Sequence, residues 1–365
     1  MAAIRQELPL VLLAARLYGD LARDGVAVRD MRRAPALELQ FAGISEPPRV
    51  ASASVFGVEP IEGPIAQRRV EPAPASETGL RYFLDGAQRT LPFVLAGAVP
   101  TAATVAAAGV VEREPCGTCE LAPDTLGLKH VWIIPRGLND PDLDTLLGRI
   151  DDLGMETIDP LALERGNGDD PDRDRFAAIR GDYAFLQQRV YEAARTVRER
   201  LERETLLRLG QSASFREGAG WIAVDGRLRL PHQRAIGIVK QFSESYLSGS
   251  DAATLLSLPP GCRTTAFVPT DRRRGGPAPE ARTLWYLRLW DANGLDARHS
   301  LIRVEADQSV NTTEEIDRIS SWLLAERTPR ATGDVRWATL LYPVHQLERM
   351  LKRLIDGQTR GWAAR

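Results

Sequence analysis

The chain has 365 residues, 44% of them hydrophobic and 26% charged, with a formal net charge of −2. That length can bury a large core, in one elaborated domain or two, and the near-neutral balance excludes binding driven by bulk charge. Any nucleic-acid site must be a local basic patch. Three cysteines, an odd number in a long chain, argue against a secreted disulfide scaffold.

The apolar run Leu8–Ala15 ends at Arg16 with no cleavage-like tail. No run approaches the roughly 20 apolar residues of a membrane span. A cytoplasmic protein without a membrane partner is expected. Ile4–Asp24 mixes apolar and charged residues at helical spacing and predicts an amphipathic helix, with Pro9 near its start. Ala36–Phe41 and Ser52–Phe56 predict short strands. Proline and alanine crowd the stretch from Glu59 to Ser76, which reads as a connector. The boundary falls there: a 1–75 extension, then a 76–365 domain.

From Leu80 the pattern turns to strands. Arg81–Ala87 (RYFLDGA), Leu91–Val99 and Ala102–Val111 are closely spaced apolar runs that predict two hairpins in a row. Lys129–Pro135 predicts another strand, and the polar Asn167–Asp174 a surface loop. Between Arg175 and Leu209 there is no proline and one glycine, Gly181. Phe185, Leu186, Val190, Val197, Leu201 and Leu206 mark the apolar face of a helix on the order of 45–50 Å long.

After it comes GWIAVDGRLRL, Gly220–Leu230, a short buried strand closed by Asp225-Gly226. Ala235–Phe242, Thr264–Val268, Thr283–Trp290, Ser300–Glu305 and Val335–Tyr342 predict further strands. Thr312–Glu326 and Val344–Ile355 predict helices, the first with acids in its opening turn.

The phrase closing the Gly220–Leu230 strand has an earlier counterpart, Asp85-Gly86 after Tyr82, Phe83 and Leu84. Each places a carboxylate at the end of an apolar strand, with glycine permitting the turn. Two such aspartates plus an acid on the helix between them have the makings of a site for hard divalent cations, Mg²⁺ or Mn²⁺. Two ions about 4 Å apart can activate a water and stabilise the leaving oxygen of a phosphodiester. Plain turn chemistry explains the Asp-Gly phrases equally well.

Among the helical acids Glu192, Glu199, Glu202 and Glu204, the first three share a face, and Glu202 is nearer than the other two to the strand that follows. It is the chosen ligand, although Arg195, Arg198, Arg200 and Arg203 offer ordinary ion pairs. Lys240, late in its strand, is placed to contact a phosphate or to snorkel to solvent. The basic run Asp271–Gly276 (DRRRGG) could grip a backbone or simply be solvated. Cys116 and Cys119 form a lone CxxC without a second ligand pair, so neither zinc nor redox chemistry is favoured. The chain has no P-loop, GxGxxG after a strand, GxSxG or HExxH.

FLDGA at Asp85, the arginine-rich helix with LERETLLRL, WIAVDGRL followed by AIGIVKQF, and LLYPVHQLERML near the C-terminus occur in that order. Together they resemble the NurA family of DNA-end-processing nucleases, over roughly Leu80 to Ile355. The resemblance implies an α/β fold with an RNase H-like mixed sheet flanked by helices: three antiparallel strands, a helix, then a parallel strand. It leaves the N-terminal extension and a 116–174 insertion without a counterpart.

The resemblance also implies a Mn²⁺-dependent nuclease acting on DNA ends in double-strand-break repair, working as a homodimer docked on a HerA-type hexameric ATPase. Asp85 and Asp225 would be metal ligands, Glu202 the helical acid and Tyr342 the active-site tyrosine, with Asp334 a possible further carboxylate. Two ions, Mn²⁺ or Mg²⁺, are expected. The family places a histidine eight residues after the tyrosine, where this chain has Met350; His345 lies nearer. That departure leaves a catalytically inactive adaptor of an ATPase as the alternative. The terminal helices are candidate docking surfaces.

Overall fold

The computed structural model of the chain describes residues 9–23, 56–114, 117–162, 179–230, 232–240, 242, 246–271, 276–277, 282–291, 297–327 and 337–362. Helix α1 (Leu10–Arg23) buries Leu10, Ala14, Leu17 and Leu21 at helical spacing, with Pro9 just ahead of it. The expected strand Ala36–Phe41 lies outside the described residues. Strand β1 (Phe56–Pro60) and strand β2 (Gln67–Arg69) follow. Part of the Glu59–Ser76 stretch is therefore strand and not connector.

One long hairpin forms the middle of the sheet, β3 (Leu80–Ala96) and β4 (Val99–Arg113), turning at Gly97. The two runs Arg81–Ala87 and Leu91–Val99, expected as separate strands, are mostly one strand, and its register slips between Pro92 and Leu95. A proline has no N–H for the ladder, so it sits where the pairing is already irregular. Strand β4 is buried on both faces. Its Ala102, Ala106 and Ala108 meet one helix layer while Ala103 and Ala107 meet the other, the period of two that a strand requires.

Strand β5 (Cys119–Leu121) and β6 (Gly127–Ile133) pair antiparallel with β4. Helix α2 (Pro141–Asp152), capped by Asp140, leads to β7 (Thr157–Ile158), parallel to β6. The 116–174 span, expected as an insertion, thus supplies strands to the same sheet.

Helix α3 (Tyr183–Gln211) starts later than the Arg175 expected, because the Asp182 carboxylate accepts the Phe185 N–H and caps it there. It buries Leu186, Val190, Val197, Leu201 and Leu206 against the sheet, each contributing about 1.5–3 kcal/mol. A short α4 (Ala213–Glu217) then delivers the chain to β8 (Trp221–Asp225), parallel to β3, and β9 (Ala235–Val239), parallel to β8.

Helix α5 (Gly249–Leu256) precedes β10 (Cys262–Thr264) and β11 (Phe267–Asp271), two strands where one was expected. Strands β12 (Gly276–Pro277), β13 (Thr283–Arg288) and β14 (Leu301–Ala306) complete the sheet. Its main path runs β1-β11-β13-β14-β9-β8-β3-β4-β6-β7. β1 and β2 are paired into it through β11 and β10.

Helix α6 (Thr313–Glu326) is capped by Thr312, and α7 (Tyr342–Thr359) closes the described chain. The expected strand Val335–Tyr342 is absent from the described part of that span: Trp337–Thr339 is a 3-10 turn and Tyr342 already belongs to α7, with Pro343 in its first turn. The result is a mixed α/β fold, a large sheet of parallel and antiparallel strands flanked by helices. No described helix is long and apolar enough to cross a membrane.

Candidate active site

Strand parity sets the site. On β3, Tyr82 and Leu84 join the core cluster that holds Leu206 and Leu209 of α3, whereas Phe83 and Ala87 join the one that holds Leu347 and Leu351 of α7. Asp85 belongs with the second set. On β8, Ile222 and Val224 face α3 and Ala223 faces the α7 layer, so Asp225 also belongs with the second set. Leu84 pairs with Val224 across the parallel ladder. The aspartates therefore lie one position beyond that pair on neighbouring strands, on one face.

The two Asp-Gly phrases differ in kind. Gly226 has φ of 106° and turns the chain at the end of β8, as the sequence predicts. Gly86 makes no turn; it lies inside β3, which runs on to Ala96. A β-carbon there would collide with Glu202 Oε1. Glycine at 86 leaves room for the Glu202 carboxylate, which α3 brings to the opposite face; a β-carbon there would push that carboxylate aside. Asp225 from the same face and Glu202 from the other both lie near enough to Asp85 for their charges to act on it.

The electrostatics follow from this crowding. Asp85 is 5% exposed and accepts the N–H of Gly86 at 2.7 Å. Burial lifts its pKa well above the ordinary carboxylate range, and Asp225, Glu202 and Glu348 add to the rise against the pull of Lys240. Glu202 is pushed up to about 7, first by burial and then by Glu199 and Asp225, with Arg198 and Arg229 opposing. Arg198, one turn earlier on α3, stands 3.5 Å from Glu202. Lys240, just past β9, places Nζ 2.8 Å from Asp225 Oδ2.

Four of the sequence-predicted residues are thus brought together: Asp85, Glu202, Asp225 and Lys240. Tyr342 stands in the first turn of α7, 52% exposed. Asp334 lies outside the described residues, as do Cys116 and the arginines of the Asp271–Gly276 run. Cys119 is a free thiol, half-buried. Met350 is exposed on α7.

Two acids escaped the sequence reading. Glu348 is carried by α7, whose neighbouring Leu347 packs over Gly109, the cross-strand partner of Asp85. Its carboxylate is held by Lys352 at 2.8 Å and lies 3.9 Å from His345. The second is Glu305 of β14, 5% exposed, which accepts the Leu228 N–H at 3.1 Å and is itself gripped by Arg303 at 2.9 Å. That pair pins the segment just after Asp225-Gly226. The only sequence signal for Glu305 was a charge in an apolar strand; Glu348 had none beyond its place on an amphipathic helix.

The donor chemistry fits a hard divalent cation: carboxylate oxygens crowd together, and the buried Asp85 has no ion-pair partner among the described residues. In the present arrangement the acids are matched by Lys240 and Arg198, and among the described residues no three acidic, histidine or cysteine side chains stand in ligating geometry. No family model matches the chain, and no curated protein is similar to it.

Proposed function

We propose that the chain is a divalent-metal-dependent deoxyribonuclease of the NurA type, hydrolysing phosphodiester bonds at DNA ends in double-strand-break repair. The observation that carries the reading is the meeting of Asp85 and Asp225, far apart in sequence, on one face of adjacent parallel strands, with Glu202 closing over Gly86. The order β6-β4-β3-β8, three antiparallel strands and then a parallel one reached through α3, supports an RNase H-like core. The homodimer and the HerA-type hexameric ATPase partner rest on the sequence resemblance alone, with α1 and α7 as candidate docking helices.

Asp85, Asp225 and Glu202 would hold Mn²⁺ or Mg²⁺, with Glu348 close by. A bound cation of this kind supplies Lewis-acid polarisation of the phosphate and makes water more acidic. The chain's own groups do the rest. Glu202, its pKa raised to about 7 in the metal-free protein, would give up its proton to hold a cation. Lys240, once free of Asp225, carries an ammonium that neutralises a phosphate oxygen. Tyr342 positions the strand from the exposed start of α7.

The test is degradation of linear DNA with Mn²⁺ by wild type and by Asp225→Ala. Equal activity in both eliminates the assignment. A second reading, an inactive adaptor with a nuclease-like sheet, is favoured by Met350 at the histidine position and by the lysine and arginine already seated on Asp225 and Glu202. Calorimetric titration with Mn²⁺ separates the two, because an adaptor that has lost its site binds none.

A further inference from the structure

Helix α7 buries Val344, Leu347, Leu351 and Ile355 against the sheet, while Arg349 and Arg353 are exposed on its far side. Arg360, the C-cap residue, is exposed too and continues the row. None of the three makes an ion pair or a hydrogen bond among the described residues. The other charges of the helix are committed, Lys352 to Glu348 at 2.8 Å and Asp356 to Arg89 at 2.6 Å. Three unmatched guanidinium groups therefore stand in line on a molecule whose formal charge is −2.

The row lies on the side of the sheet that carries the aspartates. Leu347 and Leu351 share a core cluster with Phe83 and Ala87, and strand alternation puts Asp85 and Asp225 on that same face. Leu347 packs over Gly109, the cross-strand partner of Asp85, and Asp356, two turns on, meets Arg89. The helix thus runs along β3, with Glu348 near enough for its charge to act on Asp85. At about 100° per residue, Lys352 and His345 lie about 40–60° round the helix from Glu348, and the three arginines about 100–140° round in the same sense. The row therefore starts on the flank of α7 next to the carboxylates and continues onto its open surface. Arg349 and Arg353 are about 6 Å apart along the axis, and no cleft has to open to reach them.

We propose that Arg349, Arg353 and Arg360 seat the phosphate backbone of a DNA duplex on the outer face of α7, beside the carboxylate centre. Guanidinium forks match phosphate oxygens in pairs, and a duplex presents a line of phosphates to a line of arginines. The proposal rests on the nuclease reading and gives its substrate a seat, so the two are tested separately.

The experiment is fluorescence anisotropy of a short fluorescein-labelled linear duplex with the full chain, in EDTA, over a series of salt concentrations. The variants are R349Q/R353Q and, as a control that removes the same charge, R200Q/R203Q. Arg200 and Arg203 are likewise exposed and unpaired among the described residues, but they stand on α3, against the opposite face of the sheet. Each variant is checked for an unchanged melting curve. The α7 pair should bind roughly tenfold more weakly, and its slope of log K against log salt should flatten by about 1.8, two phosphate contacts' worth. The α3 pair should keep the wild-type slope.

Equal weakening in both pairs would mean that binding follows overall charge, and overturns the seat. A wild type that binds no duplex also overturns it and leaves the row to an acidic protein partner. A wild type that binds and cleaves DNA, with the α7 pair matching it in Kd and slope, overturns the seat and leaves the nuclease standing. Binding weakened in the α7 pair alone, with no cleavage by wild type in Mn²⁺, keeps the seat and removes the nuclease.

Discussion

Lys240 Nζ stands 2.8 Å from Asp225 Oδ2, with the two side chains only 15% and 23% exposed. The ammonium occupies a carboxylate oxygen that a metal would use. On the metal-dependent reading proposed above, a bound cation would displace it, and the displaced lysine would be free for a phosphate. A pair this sheltered contributes about 1 kcal/mol, so K240Q should bind Mn²⁺ roughly fivefold more tightly than wild type by calorimetry while cleaving DNA more slowly. Weaker Mn²⁺ binding in K240Q would show that the lysine supports the site and does not compete for it.

The fit of Glu202 over Gly86 gives a second prediction. Gly86→Ala forces a methyl group into the Glu202 carboxylate, and overpacking of this kind costs about 1–3 kcal/mol. Truncating Glu202 removes the clash, so G86A/E202A should recover much of the stability that G86A loses. Urea unfolding of the four proteins in the cycle reads the coupling. Additive losses would mean that the two residues do not share this space.

The main strands and helices around the site were legible because their periods are clean: the α3 stripe at Leu186, Val190, Val197 and Leu201, and the apolar run of β8. Asp85, Glu202 and Asp225 were legible for the same reason, each being an acid beside such a run. The meaning of Gly86 was not. Asp-Gly reads as a turn, and only the position of α3 reveals that the glycine makes room for a carboxylate. Two expected hairpins became one because tertiary pairing carries a strand through Pro92, against local propensity. Tyr342 ends the predicted strand Val335–Tyr342 but opens α7, where Pro343 suits the first turn of a helix. Glu305 and Glu348 depend on contacts between elements distant in sequence, which no local pattern encodes.

Stability should depend on pH in an unusual direction. Glu202 is raised in the folded protein from 4.5 to about 7, so its folded form holds a proton that the unfolded chain releases. That contribution is fully present below about pH 4.5 and is lost as pH rises through about 7, to a total of roughly 3 kcal/mol. Asp85, raised by burial and by its acidic neighbours, acts in the same sense. Metal-free protein should melt at a lower temperature at pH 8 than at pH 6. E202Q should flatten the dependence, and Mn²⁺ should reduce or reverse it by favouring the ionised acids. A melting temperature that rises from pH 6 to 8 in the absence of metal would contradict the crowding of these carboxylates.

The Arg303–Glu305 pair anchors the segment that carries Arg227 and Arg229. Both partners are buried, and Glu305 also accepts the Leu228 N–H. Glu305→Ala would take away the carboxylate that the buried Arg303 guanidinium grips, at about 3–5 kcal/mol. Glu305→Gln keeps an acceptor for Leu228 and should be milder. Because Arg227 and Arg229 are trypsin sites, the loosening has a local readout: E305Q should be cut after these arginines faster than wild type under native conditions, before global unfolding. If cleavage there tracks only the overall loss of stability, as it would after an equally destabilising change in the α1 core such as Leu17→Ala, then Glu305 stabilises the sheet as a whole and has no particular hold on the arginine segment.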